Sequence, residues 1–252
     1  MPFTLSHAAA VLPLVDGPWV ASALVAGALA PDLPYYLESV WPGSYVAGAV
    51  THRWWAVPTV DVAVAGGLVL LWHGLARRPL VGVLPEPWAG VAEAVTAPRG
   101  GWRTPGRAWW FLGSAAVGAG THLGLDAFTH RSAVGRLPGA GRVVAGVPVY
   151  EALQYGTSVV GLGLLARHVL RLGREVEPEP VEVSPRRRAV WAGLGAATVV
   201  GAALRLARRE RGFIGELCFG AGAGLALGVI GYAVGARVPG GTVNGQCHRA
   251  AA

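Results

Sequence analysis

From Trp109 to Leu125 the chain carries no Arg, Asp or Glu, and the run then closes on Asp126 and His130. Read as a helix, this apolar run forms a membrane span over residues 108–127. His122 and Asp126 are then i and i+4, projecting from one face a single turn apart. His130 lies two nominal turns beyond His122, within roughly 80° of it on the helical wheel. An imidazole and a carboxylate on one face suit a divalent metal, because Zn²⁺ accepts both ligand types. The structural alternative is a His–Asp hydrogen bond that closes a helical bundle.

The other apolar runs set the same class for the whole chain. Charged residues make up 14% of the sequence and hydrophobic ones 53%. A soluble domain carries about 25% charged residues, so the composition reads as an integral membrane protein. There is no Lys, and the positive balance rests on Arg. The arginines fall between apolar runs, where positive-inside topology accounts for them. This argues against nucleic acid as a partner and leaves membrane lipid as the expected one. Cys218 lies in an apolar run and Cys247 in a polar tail, which gives no disulfide framework. Met1-Pro2-Phe3-Thr4 lacks the basic region that opens a signal peptide.

In chain order, residues 1–16 read as a short amphipathic helix with His7 near its start. The run 19–30 is too short to cross a ~30 Å hydrocarbon core. It stops at Ala30-Pro31-Asp32-Leu33-Pro34, where two prolines forbid a continuous helix and hold Asp32 in a rigid turn. An Asp so placed is either a cap or a carboxylate presented to a metal. After this N-terminal helical hairpin come five spans, at 56–76, 108–127, 150–170, 189–204 and 213–236. Trp54, Trp55 and Trp72 lie about 27 Å apart on a helix, which matches aromatic belts at the two interfaces. Asp61 interrupts the first span and is expected to face the bundle interior. Residues 77–107 read as a polar loop holding Arg77, Arg78, Arg99, Arg103 and Arg107. The last two spans are rich in Gly and Ala, which permits close helix packing in lipid.

The expected fold is thus all-α: a polytopic integral membrane helical bundle of about five transmembrane helices plus a short N-terminal helical hairpin. Residues 1–170 form the membrane domain with the candidate site and 171–188 a charged linker. Residues 189–236 form a C-terminal transmembrane hairpin and 237–252 a disordered tail.

Four of the histidines follow a hydroxyl residue: Ser6-His7, Thr51-His52, Thr121-His122 and Thr129-His130. If the first two spans are antiparallel, His52, His122, His130 and Asp126 meet at one membrane face. Such a convergence has a metal reading, and each ligating His then needs an acceptor on its second ring nitrogen.

Four stretches carry a family resemblance. They are the opening Met1-Pro2-Phe3-Thr4-Leu5-Ser6-His7, the Pro31-Asp32-Leu33-Pro34-Tyr35 turn, Gly120-Thr121-His122-xxx-Asp126-Ala127-Phe128-Thr129-His130, and Gln154-Tyr155-Gly156-Thr157-Ser158. Over roughly residues 1–170 the chain resembles the bacterial membrane family called domain of unknown function 4184. That family is distantly similar to membrane-bound metal-dependent hydrolases and, more faintly, to zinc-dependent phospholipases C. The resemblance implies His7, Asp32, His52, His122 and Asp126 as metal ligands, with His130 as a further candidate. It also implies a location in the bacterial cytoplasmic (inner) membrane. In one departure, Arg53-Trp54-Trp55 follows His52 where relatives often place a small polar residue.

The function so implied is a membrane-embedded metal-dependent hydrolase with a divalent cofactor, Zn²⁺ by its ligand types. It would act on a phosphoester or lipid head group, with Arg53 and Arg131 beside the ligands as candidate phosphate-holding residues. The alternative is a non-enzymatic membrane protein whose His/Asp cluster is structural. On the metal reading the donor atoms lie roughly 3–4 Å from one another.

Overall fold

In the computed structural model the described residues are all-α apart from one hairpin of two-residue strands. The structure describes residues 3–98, 105–208 and 212–237. Ten helices are labelled here. They are α1 Thr4–Leu14, α2 Ala21–Leu29, α3 Leu33–Leu37, α4 Gly48–Thr51, α5 Val57–Val81, α6 Trp88–Thr96, α7 Pro105–Thr129, α8 Val149–Glu175, α9 Arg187–Arg208 and α10 Phe213–Gly235. The strands Val143–Val144 and Val147–Pro148 pair antiparallel just before α8.

Among the described residues three helices are long and apolar enough to cross a membrane: α5, α9 and α10. The expectation of five spans is not matched at that level. α7 and α8 are 25 and 27 residues long. However, Ser, Thr, His and Asp dilute α7, and Arg167, Arg171 and Arg174 dilute α8. The large apolar side chains on these long helices point outward: Val159 is 71%, Val199 68% and Phe213 67% exposed. Side chains of this kind leave water only against lipid or another protein.

The helices fall into two units, each described by itself. The first comprises residues 1–69 and 99–174, the second 70–98 and 175–252, within the described residues. In the first unit, α2 crosses α7 at close range because both helices carry glycine at the crossing. A Cβ on Gly27 would run into the Ala115 carbonyl, and one on Gly118 into the Leu24 carbonyl. Ala23, Ala26 and Ala30 then pack on Ala115 of α7 and on Val62, Ala65 and Val69 of α5. Val11, Leu24 and Ala28 form a second apolar cluster against Trp19 and Val117. The start of α2 is capped from outside its own sequence: Val20 N donates to Ser114 Oγ of α7 at 2.9 Å.

The Pro31–Pro34 segment departs from expectation in a way that matters for the site. The prolines tighten the backbone into a 3₁₀ turn, Ala30–Asp32, that leads straight into α3. Asp32 is therefore carried on a continuous helical path with a kink. At the start of α5 the backbone widens instead: Val57–Asp61 is a π turn, with Asp61 N donating to Ala56 O at 3.0 Å.

In the second unit, the expected polar loop 77–107 contains helix. The end of α5 runs to Val81, and α6 spans Trp88–Thr96. Arg77 is buried in an ion pair with Glu93, 2.8 Å, so this arginine serves packing within the unit. Arg99 and Arg103 lie outside the described residues, as does the expected tail from residue 238. α9 and α10 pack closely against one another. Glycine lets them approach, since a Cβ on Gly224 would meet the Ala197 carbonyl and one on Gly201 the Gly220 carbonyl.

Candidate metal centre

Five residues from four helical elements of the first unit come together. His7 stands on α1 and Asp32 on the 3₁₀ turn after α2. His52 follows α4 directly, and His122 and Asp126 lie a turn apart on α7. His7, Asp32, His122 and Asp126 are buried, and the His52 side chain keeps 21% of its surface open.

Backbone carbonyls decide where the protons of two histidines sit. His122 Nδ1 lies 2.7 Å from the Ala28 carbonyl, and His52 Nδ1 lies 2.9 Å from the Gly48 carbonyl. A carbonyl only accepts, so each Nδ1 carries the donated hydrogen and each neutral ring turns the Nε2 lone pair the other way. Both lone pairs face the same two carboxylates. His52 Nε2 is 3.4 Å from Asp32 Oδ1 and 3.4 Å from Asp126 Oδ2. His122 Nε2 is 3.6 Å from each of those same oxygens. His52 Nε2, His122 Nε2 and Asp32 Oδ1 have no hydrogen-bond partner among the described residues.

The lengths discriminate between two readings. An imidazolium–carboxylate hydrogen bond closes to about 2.7–2.9 Å. Donor atoms at the corners of a tetrahedron around a Zn²⁺ held at 2.0–2.2 Å are about 3.3–3.6 Å apart. The four observed separations fall in the second range and within the 3–4 Å expected from sequence. The ring geometry agrees: two imidazoles on one tetrahedral ion hold their centres about 5 Å apart. The His52 and His122 centroids are 5.4 Å apart at 74°. The residues present thus fit a divalent cation, as two sets of three among them also do: His7, His122 and Asp126, and Asp32, His52 and His122.

The surroundings hold the donors in place. Thr4 Oγ1 donates to Asp32 Oδ2 at 2.6 Å, which fixes the carboxylate so that Oδ1 faces the histidines. Thr51 Oγ1 donates to the Pro31 carbonyl at 2.7 Å and so ties the residue before His52 to the turn that carries Asp32. His130 places Nδ1 3.2 Å from Asp126 Oδ1 and 3.1 Å from the Asp126 carbonyl. Arg53 and Arg131 are both exposed, and Arg53 Nε donates to the Ala49 carbonyl at 3.3 Å.

Electrostatics point to the same place. Burial, reinforced by the nearby His122, pushes His7 down to about 3, so it stays a neutral imidazole. Burial opposes ionisation of Asp32, yet His122, His52 and Thr4 together hold its carboxyl well below the usual carboxylate range. At His52 burial pulls downward, but the facing carboxylates of Asp126 and Asp32 outweigh it and push the imidazole up to about 9. The space between the two carboxylates calls for positive charge. A proton on His52 answers part of that demand, and a divalent cation, for which Asp32, His52 and His122 form one set of donors, answers more of it.

Three features of the site escape a reading by motif. The Ala28 and Gly48 carbonyls that set the tautomers carry no side-chain signal. Thr4 had one, since it precedes His7 by three positions and shares its helix face. Asp61 is completely buried in the π turn of α5, and neither carboxylate oxygen has a partner among the described residues. Its interruption of the first apolar span marked it as inward-facing, and it is buried.

The fold and the site together define a helical protein with membrane-type helices and a buried two-histidine, two-aspartate donor set flanked by a third histidine. The chain belongs to the family described as domain of unknown function DUF4184, whose match covers residues 1–234. The match reaches well past residue 170, where the resemblance in the sequence motifs ended. No curated protein and no solved structure matches the chain.

Proposed function

We propose that this protein is a membrane-embedded metal-dependent hydrolase whose centre is built from His7, Asp32, His52, His122 and Asp126. The reading rests on one observation: two imidazole Nε2 atoms, their tautomers set by backbone carbonyls, face two carboxylate oxygens at 3.4–3.6 Å. That arrangement leaves lone pairs opposed unless protons or a metal cation lie between them, and the separations are those of donors around a cation. A bound Zn²⁺ supplies a Lewis acid and brings the pKa of a water to about 7. The chain's own residues hold and orient the donors. Thr4 fixes Asp32, His130 lies against Asp126, and the part-open His52 side chain marks the exposed side of the centre.

The substrate class that suits this protein is a phosphoester, in particular a lipid head group, because α5, which packs into the core of the unit that holds the site, is long and apolar enough to cross a membrane. Arg53 and Arg131 are exposed next to His52 and His130 and are the cations available to a phosphate. In this reading α7 and α8 join α5, α9 and α10 as five spans in the bacterial cytoplasmic membrane.

Metal analysis of the detergent-purified chain, followed by hydrolysis assays on phospholipids and soluble phosphoesters, tests the proposal. Retained metal together with head-group release supports it. Retained metal with no hydrolysis across the panel overturns the enzymatic reading and leaves a structural centre. Absence of metal after incubation with Zn²⁺ and Mn²⁺ removes the centre altogether.

A further inference from the structure

The five donors do not converge on one point, and His7 is the exception. Its ring is stacked on His122, with centroids 3.7 Å apart and planes only 14° from parallel. Two imidazoles bound through Nε2 to a single ion splay outward from it, as the His52–His122 pair does at 5.4 Å and 74°. A close, nearly parallel stack does not splay, so its two lone pairs run side by side. Both nitrogens nonetheless point to Asp126, and they approach different oxygens. His122 Nε2 is 3.6 Å from Oδ2, and His7 Nε2 is 3.6 Å from Oδ1.

Asp126 therefore has two differently occupied sides. Oδ2 belongs to the set with His52, His122 and Asp32. Oδ1 faces His7 and His130, the latter at 3.2 Å. Oδ1 is buried without a hydrogen-bond partner, and so is His7 Nδ1. A lone hydrogen-bonding role for His7 does not explain this, because 3.6 Å is too long for a hydrogen bond. Paired catalytic metal ions sit about 3.5–4 Å apart, which is the spacing of the stacked rings.

We infer that the centre takes two divalent cations bridged by the Asp126 carboxylate, the second held by His7 Nε2 and Asp126 Oδ1. The inference rests on the metal reading above and refines it. His130, on the same side of Asp126, is the third group available to the second position. The two positions are unequal. The first has four protein donors, and the second is poorer in donors and so binds more weakly.

The test uses the full chain in detergent, stripped with chelator and titrated with Mn²⁺. The metal-to-protein ratio is read together with the electron paramagnetic resonance spectrum. Two ions per chain with the spectrum of a spin-coupled pair is the expected result. His7→Ala is expected to lower the ratio to one and to replace the coupled spectrum by that of an isolated Mn²⁺. His7→Gln serves as a second variant of closer size should the alanine variant fail to fold, and the wild-type spectrum stands without either. A ratio of one with an isolated-ion spectrum in the wild-type chain overturns the inference and leaves the single-ion centre standing. Retention of two coupled ions in the folded His7 variants also overturns it. A chain that takes up no Mn²⁺ and no Zn²⁺ overturns the metal reading itself.

Discussion

Two helix crossings in this protein are built alike and used differently. α2 meets α7 through Gly27 and Gly118, and α9 meets α10 through Gly201, Gly220 and Gly224. Both bury ionisable groups. In the α9–α10 hairpin those groups are Arg205 and Glu216, and they satisfy one another: Arg205 Nε donates to Glu216 Oε2 at 2.7 Å, and Nη2 to Oε1 at 3.4 Å. Beside the α2–α7 crossing the groups are histidines and aspartates whose mutual distances stop at 3.4–3.6 Å. The first arrangement closes on itself with opposite charges in hydrogen-bond contact. The second leaves imidazole nitrogens and carboxylate oxygens facing one another beyond hydrogen-bond contact. Burial of charge alone therefore does not mark a site; buried donors left short of partners, and aimed at one another, do.

The contrast can be broken most sharply at His122. His122→Ala is expected to take the purified protein from metal retention near the stoichiometric level to background, measured by elemental analysis. Glu216→Gln is expected to leave metal content unchanged. Equal metal content in the wild type and His122→Ala would remove His122 from the centre and erase the distinction.

The next largest effect concerns the hairpin. Arg205→Met strands Glu216 in a buried place, and removing one partner of a buried pair costs about 3–5 kcal/mol. The double variant Arg205→Met/Glu216→Leu is expected to recover most of that loss, as read from thermal unfolding in detergent. If the single and double variants unfold alike, the pair is not what closes the hairpin.

Smaller effects separate packing from chemistry. Gly118→Ala forces a Cβ against the Leu24 carbonyl, an overpacking expected to cost about 1–3 kcal/mol. Because His122 lies one turn further along the same helix, this variant is also expected to hold metal more weakly. Gly224→Ala is expected to cost a similar amount of stability with metal affinity intact. Equal metal affinity in the two variants would separate the α2–α7 contact from the centre.

The smallest effect tests Asp61, whose buried carboxylate oxygens have no hydrogen bond among the described residues. A buried polar group left unsatisfied costs about 1–3 kcal/mol. Asp61→Leu is expected to raise thermal stability by about 1 kcal/mol. A drop instead would show that the carboxyl has an occupant when the protein is folded in its own surroundings.

The helical class, the position of most helices and the pairing of His122 with Asp126 were legible in the residues alone. These depend on local periodicity: an apolar run without charges has to form a helix, and i, i+4 residues on it share a face wherever it packs. The motif order also carried the family. Other features were open in the sequence because they depend on backbone groups and long-range contacts. Residues 77–107 read as a loop because they are rich in Pro, Gly and Arg, whereas Glu93 neutralises Arg77 in the interior and Trp88–Thr96 is helical. The prolines at 31 and 34 read as a break, yet a 3₁₀ turn absorbs them and steers Asp32 inward. The stacking of His7 on His122, the edge-on approach of His52 and the tautomers fixed by Ala28 and Gly48 came from the packing of remote segments. Ring orientation is set by which carbonyl lies behind each imidazole. That carbonyl comes from a remote part of the chain for His122, and for His52 from a backbone turn that no side chain announces.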